Sequence, residues 1–285
     1  MAEYQNRGYL DRDFRLFHLR DQVPLDEVSY HTHDFHKLLL FVAGTASYVI
    51  EGKHYALQPW DVALVERGSV HRPEVGTRVP YERYVLYLSP AFVTEHSTPD
   101  CNLGKCFLTA REGFRHVLRP SEARGRRIAG LFQAIGEAES RGEYGGATLA
   151  GLLVQELLIE LARAGEETAP VQAVYDDKTV DILRYLNDHL TEPVSIDSLA
   201  ARFFVSKYHM MRRFREETGY SVHSYLANKR LLYARELLQA GAGAMEACFA
   251  CGYGDYSAFA RAFKKQFGMP PSGAAQEPRS PSTQI

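Results

Sequence analysis

Long hydrophobic runs are missing from this 285-residue sequence. Its longest uninterrupted apolar stretch covers only residues 38–43, and its first twenty residues mix both charge signs. A signal peptide or a membrane-spanning helix needs a longer apolar segment than either of these. We therefore expect a cytoplasmic protein with no membrane partner.

Cysteine is scarce as well, with four residues at positions 101, 106, 248 and 251. Two close pairs cannot cross-link a chain of this length, which excludes a disulfide-rich secreted fold and favours free thiols in a reducing compartment. Cys248 and Cys251 have the spacing of a redox motif, but they lie in a predicted helix among small apolar residues. We expect both to pack in a core.

The sequence also lacks a large excess of either charge. Its net charge is −2 at pH 7, and residues 1–174 sum to −4 whereas residues 175–271 sum to +2. An excess of this size does not by itself indicate nucleic-acid binding, so the argument for it must come from where the charges lie. The length predicts about two domains.

Short alternating segments separated by turn residues occupy residues 16–88 and predict an antiparallel all-β module. Residues 45–50 and 54–57 flank Glu51-Gly52-Lys53, which is typical of a hairpin with glycine in its turn. Residues 62–65 and 84–88 predict two further strands. We expect these strands to form one module.

From about Ser121 the apolar residues recur every three or four positions, which predicts two helices. Their apolar stripes contain Leu131, Ile135 and Ala138, and then Leu149, Leu152, Leu153, Leu157 and Leu161. Such stripes must be buried. Two alternatives are open: packing against the β module, or pairing with the same helices of a second copy in a homodimer.

An internal repeat with an offset of 49 residues lies further along the chain. Residues 206–219 match residues 255–268 at five positions, which pair Ser206 with Asp255, Met210 with Phe259, Arg212 with Arg261, Phe214 with Phe263 and Gly219 with Gly268. Each copy begins with an N-cap residue type and ends in glycine, so each predicts one capped helix. The apolar pair spaced four apart is then buried, and the arginine faces solvent.

A second short helix precedes each copy, in residues 195–203 and 244–250, after a turn of only a few residues. This arrangement predicts two helix-turn-helix units. Residues 221–239 predict the helix that connects them, and about nineteen helical residues span roughly 28 Å. Successive major-groove faces of one DNA duplex lie roughly 34 Å apart. Both recognition helices could therefore reach adjacent grooves.

Residues 175–271 resemble the DNA-binding domain of AraC-type transcription regulators. The family pattern is met at Leu199-Ala200, Ser206, Met210, Arg212, Phe214, Gly219, Tyr225-Leu226, Arg230, Ala234, Leu237-Leu238, Gly252-Tyr253, Phe259, Arg261, Phe263, Gly268 and Pro270. The resemblance implies that Tyr208, Arg212, Ser257 and Arg261 face base edges, that Lys207, Lys264 and Lys265 hold phosphates, and that Tyr256 also contacts DNA. Independently, arginine is well shaped to pair with guanine, and lysine contacts phosphate without reading sequence.

The segment around His31-Thr-His33, together with Gly44, Gly68 and His71, partly resembles the two cupin motifs, in which histidines and a glutamate hold a metal ion. On a strand, His31 and His33 share one face. Lys37 stands where the motif has its glutamate, so we expect no metal ion and no cofactor. We expect instead a barrel pocket for a sugar or a small acid. Its contacts are predicted among His31, His33, Lys37, Tyr48, Trp60, His71 and Arg72.

These observations predict a multi-domain fold, with an N-terminal all-β cupin-like barrel carrying a helical pair and a C-terminal all-α double helix-turn-helix domain. The expected boundaries are residues 1–165 for ligand sensing and dimerisation, 166–174 for a linker, 175–271 for DNA binding and 272–285 for a disordered tail. We expect a transcription regulator and not an enzyme, with double-stranded DNA, a small effector, RNA polymerase and a second copy as partners. The alternative is a metal-dependent cupin enzyme whose helical domain binds a partner protein.

Overall fold

The computed structural model of the protein describes residue 10 and residues 12–22, 28–76 and 80–274. The chain divides into two compact units, with the division between Val174 and Tyr175. The first unit is rich in β-sheet and the second is helical, which confirms the predicted fold class.

Two antiparallel sheets form the β part of the first unit. Its strands are β1 (Phe14–Asp21), β2 (His36–Ala43), β3 (Ala46–Ile50), β4 (Lys53–Ala56), β5 (Val62–Val65), β6 (His71–Val75), β7 (Tyr81–Leu88) and β8 (Val117–Leu118). The larger sheet has the order β1-β7-β2-β5-β8, and the smaller has the order β4-β3-β6.

The β3–β4 hairpin shows how local sequence sets this topology. Ile50 pairs with Lys53 across the turn, so Glu51 and Gly52 form a two-residue loop. Both have positive φ, at 47° and 72°, as the favoured hairpin turn requires. The predicted glycine hairpin is therefore confirmed.

Strand β2 carries a different core on each face. Leu38 and Leu40 pack with the helices of the first unit, whereas Leu39 and Phe41 pack with the smaller sheet. This division follows from the two-residue period of a strand. Lys37 has the parity of Leu39 and Phe41, so the same period directs it between the two sheets.

Four helices cover the other face of the larger sheet. They are α1 (Pro90–Glu95), α2 (Lys105–Gly113), α3 (Glu122–Ser140) and α4 (Gly146–Glu167). Leu131, Ile135, Leu157 and Leu161 lie in the core that these helices share with the sheet.

The apolar stripe of α4 is not buried along its whole length. Leu149 and Leu152 are 52% and 56% exposed, and Val154 and Leu158 take the inward positions with Leu157. The prediction that Leu149 and Leu152 are buried is therefore wrong within this unit. The buried face of α4 is centred on Ala150, Val154, Leu157, Leu158 and Leu161, so it is rotated from the predicted face by about one residue.

The segment expected to be a linker is tied to the first unit. Helix α4 continues to Glu167, and Val174 forms an antiparallel bridge with His54, with backbone N–O distances of 2.8 and 2.9 Å. Val171 and Ala173 pack against the core between the sheets. The change from the first to the second unit comes only after these contacts.

The second unit contains α5 (Asp177–Asp188), α6 (Ile196–Arg202), α7 (Lys207–Thr218), α8 (Val222–Gln239), α9 (Ala244–Ala250), α10 (Tyr256–Phe267) and α11 (Pro271–Ala274). Helices α6 and α7 form one helix-turn-helix, and α9 and α10 form the other. Helix α8 has 18 residues and connects the two motifs over roughly 27 Å.

The structure also tests the predictions for the cysteines and for the C-terminal segment. All four cysteines are free, and Cys248 and Cys251 are fully buried, as predicted.

Residues 272–274, expected to be disordered, belong to α11, and Ala274 packs in the core around α8 and α10. Residues 275–285 lie outside the described residues. Within the described ranges, no helix combines the length and apolarity that crossing a membrane requires.

Candidate ligand site and nucleic-acid interface

Three histidines converge in the interior of the first unit. His31, His33 and His71 are each at most 6% exposed, and one ring nitrogen of each lies within 4.8 Å of those of the others. Backbone pairing positions them, because His31 and His71 exchange both N–H···O bonds of an isolated bridge, at 3.1 and 3.0 Å. The carbonyl of His33 accepts from the Gly68 amide at 2.8 Å. The histidines therefore come together from chain segments forty residues apart.

The prediction that His31 and His33 lie on a regular strand is only partly right. The described segment before β2 makes one bridge at His31 and bends at Asp34 and Phe35, and β2 begins at His36. His36 faces away from the cluster, because its ring stacks on Phe107 at 4.2 Å among the helices. The three clustered histidines are thus held by loop backbone as well as by β6.

Hydrogen bonds decide which ring nitrogen of two histidines carries the proton. His31 Nδ1 lies 2.8 Å from the Ser29 carbonyl, and His71 Nδ1 lies 2.9 Å from the Ser69 carbonyl. A carbonyl only accepts, so both Nδ1 atoms donate and both Nε2 atoms present a lone pair. The Nε2 atoms of His33 and His71 are buried with no hydrogen-bond partner among the described residues. These two atoms are the polar groups of the cluster to which a ligand could donate.

Burial and the neighbouring Lys37 favour the neutral form of two of the three imidazoles. Burial, followed by the charge of Lys37, lowers the pKa of His33 to about 2, and the same causes hold the pKa of His71 well below its usual value. Lys37 is 1% exposed, and its Nζ lies 5.6 Å from the centre of the Tyr48 ring. The sheet directs Lys37 into the cluster, as its parity in β2 predicts.

Aromatic rings form the walls around these polar groups. Tyr48 stacks on His71 with 6.0 Å between ring centres, and Phe35 stacks on His33 at 4.5 Å. Tyr87 of β7 lies 5.8 Å from the His33 ring. Sequence reasoning missed Phe35 and Tyr87. The alternation along β7 could have indicated Tyr87, because it shares its face with the buried Val85.

The structure does not bring Trp60 or Arg72 to the cluster. The Trp60 amide donates to the Phe41 carbonyl at 2.7 Å, and Phe41 lies four residues, or about 13 Å, along β2 from Lys37. Trp60 is 43% exposed. Arg72 follows His71 on β6, so it points to the opposite face, where its guanidinium lies 4.4 Å from the Tyr30 ring.

The donor set fits a transition-metal ion. Imidazole nitrogens bind zinc at about 2.0–2.1 Å, which places tetrahedral ligands roughly 3.4 Å apart. The ligand nitrogens lie within 4.8 Å of one another, so they must approach by at most about 1.4 Å to reach this separation. The Nδ1–H to carbonyl bonds of His31 and His71 are the support that metal-binding histidines usually have. His31, His33 and His71 would hold the ion, and it would offer an open position to an oxygen ligand.

The recognition helices present a second candidate site. Ser206 Oγ accepts from the His209 amide at 3.3 Å, and Asp255 Oδ1 accepts from the Ala258 amide at 2.7 Å. Gly219 and Gly268 end α7 and α10 in the left-handed conformation, at φ 74° and 76°. The predicted caps are confirmed at both ends of both helices.

These caps fix which face each helix exposes. Met210 and Phe214 of α7 are buried, as are Phe259 and Phe263 of α10. Arg212 and Arg261 are therefore exposed, because each lies two residues from both buried neighbours. The other exposed members of the predicted interface are Lys207, Tyr208, Ser257, Lys264 and Lys265.

Lys207 and Tyr256 of the predicted interface already contact other residues of the protein. The Lys207 ammonium forms a salt bridge with the Asp197 carboxylate of α6. Tyr256 is half-buried, with its ring centre 6.0 Å from that of Phe259. Contact of either with DNA would have to replace or extend these interactions.

Comparison with known proteins identifies both units. Residues 14–161 match the family model of the AraC-like ligand binding domain, and residues 199–277 match that of a helix-turn-helix domain. The chain belongs to the AraC family of transcription regulators. It is a DNA-binding regulator with a ligand-binding domain, so the alternative hypothesis of a metal-dependent enzyme is wrong.

Known proteins are similar to the whole chain or to its second unit. The HTH-type transcriptional activator RhaS of Escherichia fergusonii is 23% identical over 276 residues, which cover 89% of each chain. A crystal structure of ToxT from Vibrio cholerae matches 93% of this chain and 97% of that one, at 13% identity and a TM-score of 0.37. The DNA-binding domain of AdpA in complex with a target DNA matches 39% of this chain and 100% of that one, at 28% identity and a TM-score of 0.36.

Proposed function

We propose that this regulator reads a specific DNA sequence with α7 and α10 and changes its activity when a small polar ligand, such as a sugar or a small acid, binds in the barrel. The observation that carries the DNA part is the equivalent exposure of Arg212 and Arg261 on two capped helices joined by α8. Bidentate pairing of arginine with guanine supplies about 1–3 kcal/mol of discrimination per pair.

Each predicted interface residue has a role in this proposal. Arg212, Arg261, Tyr208 and Ser257 contact base edges, because they lie on the exposed face in the first half of each helix. Lys207, Lys264 and Lys265 contact phosphates, and Tyr256 supports the backbone beside them. Since it acts on DNA, we place the protein in the cytoplasm.

Selection of binding sites from random duplexes tests the DNA part. The full chain should enrich one sequence, and Arg212→Ala and Arg261→Ala should each relax the preference at one base position. Arg126→Ala is the matched control, because Arg126 is an exposed arginine on α3 whose guanidinium pairs with Glu122 at 2.7 Å. Equal enrichment of all sequences by the unaltered protein would contradict the proposal.

The effector part rests on the buried cluster of His31, His33, Lys37, Tyr48 and His71. Buried polar groups need partners, and a small polar ligand that enters the barrel would supply one to the Nε2 atoms of His33 and His71, which have none among the described residues. The full chain should therefore melt at a higher temperature with its effector, in a screen of sugars and small acids. Trp60→Ala should leave that shift unchanged, since Trp60 lies at the other end of β2. A screen in which no sugar or acid raises the melting temperature would contradict this part.

We also propose a homodimer formed through α4. Leu149 and Leu152 are exposed on this helix, and a second copy of the same surface would bury them. Light scattering of Leu149→Glu and Leu152→Glu should show monomers at a concentration where the unaltered chain is a dimer. A monomeric unaltered chain at micromolar concentration would refute the dimer.

RNA polymerase is the further proposed partner, because the similar RhaS proteins are transcriptional activators.

A further inference from the structure

The two recognition helices differ in the side chains that surround their arginines. On α7, Tyr208 and Met211 lie four residues and one residue before Arg212, and they are 76% and 44% exposed. The repeat places Ser257 and Ala260 at the same two positions of α10. Helix α7 therefore exposes a large apolar surface beside its arginine, whereas α10 has a hydroxyl and a methyl group there.

The helical period places this apolar surface on the face that carries the arginine. Residues three and four apart are neighbours on a helix, so Tyr208 lies beside both Met211 and Arg212. Met210 and Phe214 are buried on another side of α7. Tyr208 and Met211 therefore accompany Arg212 when the exposed face of α7 meets DNA.

We propose that Tyr208 and Met211 read the C5-methyl groups of thymines beside the guanine that Arg212 contacts. The base pairs that one recognition helix contacts are called its half-site. This inference rests on the proposed function, because it assigns a base type to the half-site of α7. The half-site of α10 is read with little contribution from methyl groups.

The chemistry of the major groove selects the thymine methyl group as the partner of this surface. Hydrogen-bond donors and acceptors line the base edges, and the thymine methyl group is the apolar feature among them. Covering a methyl group with an apolar side chain is favourable, whereas covering a polar edge without a hydrogen bond is costly. Met211 has no hydrogen donor and only a weakly accepting sulfur, so an apolar partner suits it. The Tyr208 ring can cover a methyl group while its hydroxyl stays hydrogen-bonded.

Replacement of thymidine by deoxyuridine tests the proposal, because it removes the methyl group and keeps the base pairing. The duplex is the sequence that the full chain selects, and the base at which Arg212→Ala relaxes the preference locates the half-site of α7. A thymine, on either strand, should stand next to that base or one pair further on. Its replacement should weaken binding about fourfold in fluorescence anisotropy, the effect of one methyl-sized group that is no longer buried.

The half-site of α10 is the internal control for the DNA change. The base at which Arg261→Ala relaxes the preference locates it. Deoxyuridine there should change the affinity by less than about twofold, because Ser257 and Ala260 bring little apolar surface to the groove.

Protein variants show which side chains contact the methyl group. Tyr208→Ala and Met211→Ala should each lose part of the preference for thymidine over deoxyuridine, and the double variant should lose all of it. Tyr144→Ala and Met245→Ala are the matched controls and should keep the preference. Tyr144 is an exposed tyrosine between α3 and α4, and Met245 is an exposed methionine on α9. Circular dichroism should be unchanged in the α7 variants, because alanine favours helix and the replaced side chains are exposed.

The unaltered protein alone can overturn the proposal. A selected half-site of α7 without thymine would overturn it, as would equal affinity for the thymidine and deoxyuridine duplexes or equal losses in both half-sites. A methyl effect that persists in the double variant would assign the contact to other residues and overturn it too. Each of these outcomes leaves sequence-specific binding, and so the proposed function, standing. Enrichment of no sequence would instead contradict the proposed function and this inference together.

Discussion

The two helix-turn-helix units have the same plan but differ in their turns and in their charges. Four residues separate α6 from α7, and five separate α9 from α10. The repeat offset is therefore 48 residues for the first helices and 49 for the recognition helices. Helix α10 carries three cations and no acid, whereas α7 carries Glu216 and Glu217 beside its arginines. The shared parts of the two units maintain the fold, and we expect the parts that differ to set the strength of each proposed DNA contact.

The shared part is expected to give the largest effect. Phe214 and Phe263 are fully buried at equivalent positions, and replacing either with alanine should lower the free energy of unfolding of the second unit by about 3–5 kcal/mol. Urea denaturation followed by circular dichroism measures this loss. Arg212→Ala and Arg261→Ala are the controls on the exposed face and should change stability by less than about 0.5 kcal/mol. A loss below about 1 kcal/mol in one phenylalanine variant would show that its unit does not depend on the shared core.

The difference in charge should appear in DNA affinity. Arg212→Ala and Arg261→Ala should each weaken binding to the selected site by about 1–3 kcal/mol, or roughly 5- to 150-fold. The Arg261 effect should be the larger. Arg212 Nε lies 3.9 Å from Glu216 Oε1, so DNA binding must replace that attraction, and α10 has no such carboxylate.

Fluorescence anisotropy with the selected duplex measures both affinities. Single-base substitutions in the duplex show which position each arginine reads, because a variant that has lost its contact no longer distinguishes the bases there. An Arg212 effect greater than that of Arg261 would reverse the predicted order of the two units.

These caps and arginines could be found from sequence because their causes are local. A serine or aspartate before the helix, a glycine after it and an apolar pair spaced four residues apart determine which face is exposed. The hairpin at Glu51 and Gly52 is local in the same sense. Because each of these sequence features occurs in both copies of the repeat, the prediction for one unit supported the prediction for the other.

The histidine cluster could be predicted only in part, because its causes are not local. The spacing of His31 and His33 suggested a pair, but the backbone bridge from His31 to His71 spans forty residues. Sequence could not say at which end of the barrel Trp60 lies. Nor could periodicity choose between Leu149 and Val154 as inward residues of α4, because both belong to apolar stripes.

Making α7 more like α10 should alter the salt dependence of binding. Glu216 and Lys265 are equivalent in the repeat, so Glu216→Lys gives the first recognition helix the cation of the second. Each added phosphate contact should steepen the plot of log affinity against log salt by about 0.9. The gain should be the same on selected and unselected duplexes, because phosphate contacts do not read sequence.

Anisotropy at several sodium chloride concentrations measures this slope. Glu122→Lys is the control, since Glu122 is an exposed acid on α3 in the other unit, and it tests whether net charge alone produces the change. Equal slopes for the unaltered chain and Glu216→Lys would mean that position 216 lies away from the phosphates.

The turns should give the smallest effect, and it should have opposite signs in the two units. Phe204 and Gly252 both lie two residues beyond the first helix of their unit, with positive φ of 54° and 88°. The left-handed region costs a residue with a Cβ about 1–2 kcal/mol, and Phe204 is 91% exposed, so it recovers little by burial. Phe204→Gly should therefore raise the free energy of unfolding, by about 1 kcal/mol or less after the greater flexibility of glycine in the unfolded chain is included.

Gly252→Ala should lower the free energy of unfolding by more than Phe204→Gly raises it, because the new Cβ would lie 2.7 Å from the Thr191 carbonyl oxygen. Urea denaturation of both variants measures the two signs, and stabilisation by Gly252→Ala would show that the two turns are not equivalent.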